Sequence, residues 1–259
     1  MSDLYSIENS INKTYRDRLW TPFINSIKKY GLISENDHIA VCISGGKDSF
    51  LMALLFKMLL KHSDFPFKAS YISMNPGYEK GNLELLLYNA KLFDIDLQIF
   101  ETNVFKVANN QEKNPCYLCA KMRRGYLYNK AKEIGCNKIA LAHHFNDVIE
   151  TTVMSMFYSS QLQGMRPILD SKNFEGMQLI RPIYSVHEDD IINWAKFNNL
   201  HFLNCACSFT KENKINEMTS KRKEVKEIIR TLKQSNPNIE KSIFNAIHNV
   251  HIDTFPKNS

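Results

Sequence analysis

Residues 38–49 read HIAVCISGGKDS, and this stretch decides the fold class. Its first part, His38 to Ser44, is a short β-branched run of the kind that forms a buried strand, and two adjacent glycines follow it. The residues from Asp48 to Lys61 are apolar on nearly every face, which predicts a buried helix. A strand that turns through glycines into a buried helix is the first half of a βαβ unit, the element from which parallel sheets are built.

Strand-like and helical segments continue to alternate along the chain. Further strands are predicted at 67–74, 96–101 and 138–142, and a loop and Arg181-Pro182-Ile183 lead into the last helix. Helices are predicted at 83–93, 121–134, 145–158 and 187–198. This alternation predicts an α/β fold with an open parallel five-stranded sheet, covered by helices on both faces. Ligands should bind at the carboxyl ends of its strands.

The 259 residues are enough for one large domain with smaller attachments. We expect an N-terminal helical extension over 1–36, where an amphipathic helix ends at Gly31, and an α/β domain over 37–208. A basic helical tail should follow over 209–259. Hydrophobic residues make up 44% and charged residues 23%, which excludes collagen-like and wholly disordered classes.

The net charge of +6 is unevenly distributed along the chain. The stretch 211–233 carries eight basic and four acidic residues, so it contributes +4 of that total. Such a basic helix is typical of a nucleic-acid contact, and it is equally typical of a solvated amphipathic helix. We expect no membrane-spanning segment and a cytoplasmic location, because no apolar run approaches about 18 residues.

The SGGKDS segment, Ser44 to Ser49, combines the features of a phosphate-binding loop. Adjacent glycines let the backbone approach an anion, and the helix N-terminus, Lys47 and two serine hydroxyls favour phosphate. Asp48 makes sense among these donors if Mg²⁺ bridges it to phosphates. The alternative is a plain strand-to-helix turn with Ser44 as its N-cap.

Six cysteines in a reducing compartment should not form disulfides, so they are core residues, metal ligands or reactive thiols. Cys116 and Cys119 form a Cys-x-x-Cys motif, which fits zinc, iron–sulfur, redox or incidental cysteines. Cys205-Ala206-Cys207 lies far downstream. We expect Cys42 and Cys136 to be core residues.

Two further groups should face the same region. Arg123 lies four residues after Cys119 on the following helix, so it occupies the same helical face. The residues His143-His144-Phe145-Asn146-Asp147 follow a predicted strand and should lie beside the phosphate loop. Asp147 is also suited to helix capping or to a first-turn charge.

Five motifs in order resemble the tRNA 2-thiocytidine synthetase family, within the ATP-pyrophosphatase superfamily with its PP-loop. They are SGGKDS, PCYLCAKMRRGYLY, ALAHHFNDVIETTVMSMFY, IRPIY and a late cysteine, and they extend over about 39–249. The resemblance implies a tRNA sulfurtransferase that adenylates the C2 carbonyl oxygen of cytidine 32 in tRNA with ATP and Mg²⁺ and replaces this oxygen by sulfur.

The resemblance also implies roles for individual residues. ATP would be held by the loop, with His143 beside it; the loop residues are Ser44, Gly45, Gly46, Lys47, Asp48 and Ser49. Asp147 and Arg123 would act as catalytic residues, together with Asp48 and Lys47. Cys116, Cys119 and Cys205 would hold a 4Fe-4S cluster. Contacts to tRNA would come from Lys221, Arg222 and Lys223.

The chain departs from the family pattern in two places. Cys205-Ala206-Cys207 replaces a Cys-x-x-Cys, which leaves Cys207 as an alternative third ligand. Ser159, Ser160 and Arg166 stand where the family tends to have two glycines and a proline, which bears on the exact tRNA substrate. The sulfur donor would be a cysteine desulfurase or free sulfide, and dimers are common in the family.

Two other interpretations of the function remain open at this point. A lysidine synthetase-like ligase also adenylates a cytidine but needs no cysteines. A non-catalytic RNA-binding module would use its cysteines for structural zinc.

Overall fold

A computed structural model describes residues 3–102, 115–203 and 217–255, without the side chains at 115–121 and 217–220. The chain forms two compact units. The first comprises the described residues of Met1–His144 and Pro167–Lys214, and the second those of Phe145–Arg166 and Ile215–Ser259.

The described strands of the first unit form a six-stranded sheet in the order β3-β2-β1-β4-β6-β5. The strands are β1 (His38–Cys42), β2 (Lys68–Asn75), β3 (Leu97–Glu101), β4 (Lys138–Ala140), β5 (Ile168–Asp170) and β6 (Gln178–Ile180). Neighbours from β3 through β6 pair in parallel, and β5 pairs antiparallel to β6. The five-stranded parallel sheet is therefore confirmed, and β5 adds a short edge strand that the sequence pattern did not indicate.

Helices cover the sheet within the first unit. They are α1 (Leu4–Asn12), α2 (Thr21–Tyr30), α3 (Lys47–His62), α4 (Lys80–Leu92), α5 (Pro115–Glu133) and α7 (Glu188–Phe197). A large buried cluster that includes Phe50, Phe56 and Trp194 lies on one side of the strands, and a smaller one that includes Ile72 and Cys136 lies on the other. A strand buried on both faces explains the continuous apolar run of β1.

The N-terminal segment is not the single helix that its amphipathic pattern predicts. A π-helical turn at Arg16–Trp20 separates α1 from α2. Pro22 stands at the start of α2, where its ring lacks an N–H and is crowded against the preceding turn. Gly31 ends α2 in the left-handed conformation, as expected from its position.

The second unit contains helices α6 (Phe145–Ser159), α8 (Glu217–Ser235) and α9 (Ile239–His248). Its core is a small cluster that includes Phe145, Ile149, Val225 and Ile229, all nearly or fully buried. The described part of the basic stretch, from 217 to 233, is thus helical and buries Val225 and Ile229. The division into 1–36, 37–208 and 209–259 stays a prediction.

The parallel pairing sets the position of the site. Since β1 and β4 run in the same direction, the residues that follow their last positions, Ser44 and His143, emerge at the same edge. Arg181 follows β6 at that edge as well. No helix in the described ranges is both long and apolar enough to cross a bilayer.

Candidate nucleotide site

The loop between β1 and α3 has the backbone of an anion-binding turn. Gly45 has φ +90°, and a Cβ at this position would clash with the side chain of Leu203, whose N–H donates to the Gly45 carbonyl over 3.0 Å. Gly46 is the N-cap of α3, so Ser44 is not. The first N–H groups of a 16-residue helix therefore border the loop, where they favour negative charge.

The two serines of the loop are joined to each other. Ser44 N–H and Oγ both lie within hydrogen-bonding distance of Ser49 Oγ, at 3.2 and 3.3 Å. The Ser49 hydroxyl donates to the Gly46 carbonyl over 2.9 Å. These bonds close the loop around the start of α3.

Lys47 lies between two carboxylates. Its Nζ is 3.1 Å from Glu188 Oε1 and 3.2 Å from Asp48 Oδ1. Burial on its own would lower the pKa of the Lys47 ammonium, but the charges of Asp48 and Glu188 outweigh burial and raise that pKa above its ordinary value. The site therefore holds a permanent cation at neutral pH.

Asp48 has the features of a metal-binding carboxylate. Its Oδ1 is buried and accepts no hydrogen bond within the described residues, because the Lys47 ammonium lies close by without hydrogen-bonding geometry. His144 Nε2 lies 3.9 Å from the same oxygen. A carboxylate oxygen without a hydrogen-bond donor suits a divalent cation such as Mg²⁺, which prefers oxygen ligands.

Two cavities meet at the loop. One, of about 670 Å³, lies between the loop, α7 and residues 200–203, and the other, of about 330 Å³, lies at the ends of β1, β2 and β4. Ser44, Asp48 and Arg123 line both cavities. The structure thus brings Arg123 to the loop, and His143 lines the smaller cavity.

The segment after β6 and the loop after β2 also contribute. Arg181 is buried, and its Nε donates to His143 Nδ1 over 3.3 Å. Tyr78 donates its hydroxyl to the Ser44 carbonyl over 3.4 Å. Burial raises the pKa of Tyr78, and the nearby Arg123 cation opposes that rise. Tyr78 is therefore a neutral hydrogen-bond donor at physiological pH.

Asp147 lies in the second unit, on the first turn of α6. Its Oδ1 accepts a hydrogen bond from Arg222 Nη1 of α8 over 3.3 Å. The Arg222 Nε lies 3.8 Å from Glu150 Oε2, a side chain that is only 7% exposed. Arg222 thus contacts two carboxylates of α6, while Lys221 lies over the ring of Tyr158 and Lys223 is exposed.

Four of the six cysteines lie within the part of the chain that the structure describes. Cys116 and Cys119 are in the first turns of α5, where a spacing of three residues places them on one helical face. Cys205 and Cys207 lie outside the described residues. Cys42 and Cys136 are buried, as predicted, and burial raises their thiol pKa to about 12 and about 11.

Three charged or polar residues of these sites were not predicted from the sequence: Glu188, Tyr78 and Glu150. Glu188 is 141 residues from Lys47 along the chain, and nothing near it resembles a nucleotide motif. An acidic residue at the start of the helix that follows the RPIY segment is the signal that would have identified it.

Comparison with known proteins assigns the chain to a family. The model of the PP-loop domain family matches residues 17–214. The tRNA-cytidine(32) 2-sulfurtransferase of Geotalea uraniireducens is 32% identical over 242 residues, covering 90% of this chain and 93% of that protein. The enzyme of the same name from Tolumonas auensis is 30% identical, covering 96% of this chain and 82% of its own length.

A solved structure shares the fold. The U34-tRNA thiolase NcsA from Methanococcus maripaludis, determined with its [4Fe-4S] cluster, superimposes with a TM-score of 0.69 at 21% identity. The match covers 90% of this chain and 79% of that protein. By the extent of its sequence matches, the chain belongs to the tRNA-cytidine(32) 2-sulfurtransferase family of PP-loop proteins.

Proposed function

We propose that this protein is an ATP-dependent tRNA sulfurtransferase that converts cytidine 32 of tRNA to 2-thiocytidine. The observation that carries the proposal is the loop Ser44–Ser49, which places Lys47 in the larger cavity and Asp48 in the lining of both cavities. Two adjoining cavities with a phosphate loop between them suit a reaction in which ATP and a second substrate meet at the α-phosphorus.

In the first step, the C2 carbonyl oxygen of the cytidine attacks the α-phosphorus of ATP and pyrophosphate leaves. The loop N–H groups and the Ser44 and Ser49 hydroxyls bind the phosphates. Lys47 offsets the charge on the departing pyrophosphate, and Arg123 offsets charge at the reacting centre. His143, held by Arg181, completes the wall of the smaller cavity.

Mg²⁺ fits the donor set of this loop. Asp48 Oδ1, buried and without a hydrogen-bond donor among the described residues, would hold the ion. Bound there, Mg²⁺ would neutralise phosphate charge and orient the triphosphate.

In the second step, sulfide attacks C2 and AMP leaves. Asp147 is the carboxylate that we assign to proton transfer at this stage, since it lies on the first turn of α6 and is three residues after His144 in sequence. Arg222 orients this carboxylate through their hydrogen bond.

Cys116, Cys119 and Cys205 would hold a 4Fe-4S cluster. The fit is supported by α5, whose first turns carry two cysteines on one helical face. Three thiolates leave one iron without a protein ligand, and the cluster would supply that iron as a Lewis acid for sulfide. Cys207 is the alternative third ligand.

The exposed face of α8 would bind the phosphates of tRNA. Lys223 is exposed, Lys221 lies over Tyr158, and Arg222 is 46% exposed beside its carboxylate partners. Cations on one helix with exposed aromatic side chains nearby, such as Phe157, suit a contact with stem phosphates and unstacked bases.

The remaining parts of the proposal concern organisation. We infer a cytoplasmic enzyme that works as a homodimer and takes sulfur from a cysteine desulfurase or from free sulfide. We also retain the division into an N-terminal extension (1–36), a PP-loop domain with its iron–sulfur site (37–208) and a basic tail (209–259).

The metal content distinguishes this proposal from the two other interpretations, a lysidine synthetase-like ligase and a non-catalytic RNA-binding module. Protein purified without oxygen should contain about four iron and four sulfide per chain. Cys116→Ser should abolish both the brown colour and sulfur transfer, whereas Cys136→Ser should retain both. Four-thiolate zinc without ATP turnover would support an RNA-binding module, and ATP turnover without iron would support a lysidine synthetase-like ligase.

A further inference from the structure

Glu188 is the charged side chain at the nucleotide loop that no motif accounts for. It is the first residue of α7, and its Oε1 lies 3.1 Å from Lys47 Nζ. The Glu188 side chain is only 16% exposed, so this ion pair is screened less than a surface pair. The contact joins two elements that are far apart in sequence.

The Lys47 ammonium is held from two sides. An ammonium has three N–H donors. One donates to Asp48 Oδ2 over 3.3 Å and another to Glu188 Oε1 over 3.1 Å. Two of the three donors therefore tie the ammonium to the starts of α3 and α7, which leaves one for a phosphate oxygen.

The segment before Glu188 makes this arrangement rigid. Ile183 and Tyr184 are buried, and the backbone closes two turns, from Tyr184 N–H to the Arg181 carbonyl and from Val186 N–H to the Ile183 carbonyl. The same segment places Arg181 against His143. The segment 181–188 thus carries two charged groups to the site, Arg181 against His143 and Glu188 against Lys47.

We propose that Glu188 is a positioning residue for Lys47, holding its ammonium beside the phosphate loop, in the larger cavity, before pyrophosphate leaves. The inference rests on the proposed function, because it concerns the ATP-cleaving step of that reaction. A lysine side chain is flexible, and an ammonium already in place needs no reorganisation as charge develops.

The other groups around Lys47 do not take over this task. Asp48 contacts the ammonium from its own helix but is engaged by Mg²⁺ in the proposed complex. Arg123, Lys196 and His201 line the same cavity, but none of them has a carboxylate that could accept a hydrogen bond from the ammonium. Among the described residues lining this cavity or contacting Lys47, Glu188 is thus the carboxylate left to hold it once Asp48 binds metal.

The test compares Glu188→Gln with Asp189→Asn. Asp189 lies on the same first turn of α7 and is exposed, so its substitution removes the same charge without touching Lys47. The readout is ATP-dependent pyrophosphate release with tRNA, together with ATP binding by titration. We expect Glu188→Gln to lower kcat by about 10- to 100-fold with ATP affinity changed less than about threefold. Asp189→Asn should stay within about twofold.

A double-mutant cycle separates positioning from a structural role. Because Glu188 acts through Lys47, the pair Lys47→Ala with Glu188→Gln should be no slower than Lys47→Ala alone. Glu188→Asp, which keeps the charge, should recover part of kcat and guards against loss of folding in the amide variant.

The outcomes distinguish a failure of the inference about Glu188 from a failure of the proposed function. Equal rates for Glu188→Gln and Asp189→Asn, or a double variant slowed by both factors multiplied, would overturn the inference. Pyrophosphate release with the expected pattern but without 2-thiocytidine would contradict only the proposed nucleoside chemistry. A wild-type protein that releases no pyrophosphate with tRNA would contradict both.

Discussion

The carboxylate of Asp147 and the guanidinium of Arg222 are joined across two helices, with 3.3 Å between Oδ1 and Nη1. Arg222 is 46% exposed and Asp147 is 17% exposed, so the pair lies at the boundary between protein and solvent. A half-exposed pair contributes at most about 1 kcal/mol to stability. Arg222 can therefore be shared with an RNA phosphate at little cost, which connects the proposed tRNA surface with the proposed catalytic carboxylate.

The role of Asp147 is tested by its isosteric amide. Asp147→Asn removes the charge and the proton acceptor, so thiolation should fall by at least about 100-fold while tRNA affinity changes little. Thiolation rates under single turnover and tRNA binding by filter retention measure the two effects. Asp253→Asn, an exposed change in the same unit, is the control. Full thiolation by Asp147→Asn with normal iron content would remove Asp147 from the mechanism.

The exposed cations of α8 should set the salt dependence of tRNA binding. Lys223→Gln should weaken binding and reduce the slope of log affinity against log salt by about 0.7 to 0.9, because one phosphate contact is lost. Lys130→Gln, at an exposed ion pair in the other unit, should leave the slope unchanged. Salt-insensitive binding of tRNA by the wild-type protein would contradict the electrostatic role of α8.

The pair Lys138–Asp37 should matter most for stability. Its atoms are 2.7 Å apart and both side chains are 6% exposed, and Lys138 also donates to the Leu32 carbonyl. Lys138→Met leaves the Asp37 carboxylate buried without its cation, which should cost about 3 to 5 kcal/mol of unfolding free energy. Chemical denaturation should show a loss below about 1 kcal/mol for Lys130→Met, whose pair with Glu133 is exposed. Similar losses for both variants would show that burial does not decide the effect.

The two buried thiols should be unreactive at neutral pH. The pKa of Cys42 is raised to about 12 and that of Cys136 to about 11, both by burial. A raised pKa means that the thiolate, the reactive form, accumulates only at high pH. Alkylation at pH 8, followed peptide by peptide in a mass spectrometer, should therefore be at least about 100-fold slower at both positions in the folded protein than in urea. Rapid labelling of Cys42 in the folded protein would contradict its burial.

The strands and helices could be predicted because the residue pattern within each segment determines which of the two it forms. The β-branched run, the glycine pair and the apolar helix of residues 38–61 lie next to one another, and the structure confirms a strand, a loop and a helix there. The edge strand β5 was missed because two of its three residues are exposed and they carry no clear alternation. The break between α1 and α2 was missed because the apolar pattern continues through the π-helical turn.

The site was predictable only in part, because its partners come from distant segments. The phosphate loop, Ser44 to Ser49, could be identified from the types and order of its residues. Arg123 was singled out by its helical spacing from Cys119. Glu188 contacts Lys47 across 141 positions, and Arg222 reaches Asp147 across 75. Such pairs depend on how strands and helices are assembled, and no single segment of sequence records them.

The product of the reaction tests the central claim most directly. Protein purified without oxygen should be incubated with ATP, Mg²⁺, sulfide and unmodified tRNA, and the nucleosides of the digested tRNA analysed by mass spectrometry. The account predicts 2-thiocytidine that maps to position 32 and is absent without ATP or with Cys116→Ser. Lysidine, a thiolated nucleoside other than 2-thiocytidine, or unchanged tRNA in the presence of an intact cluster would contradict it.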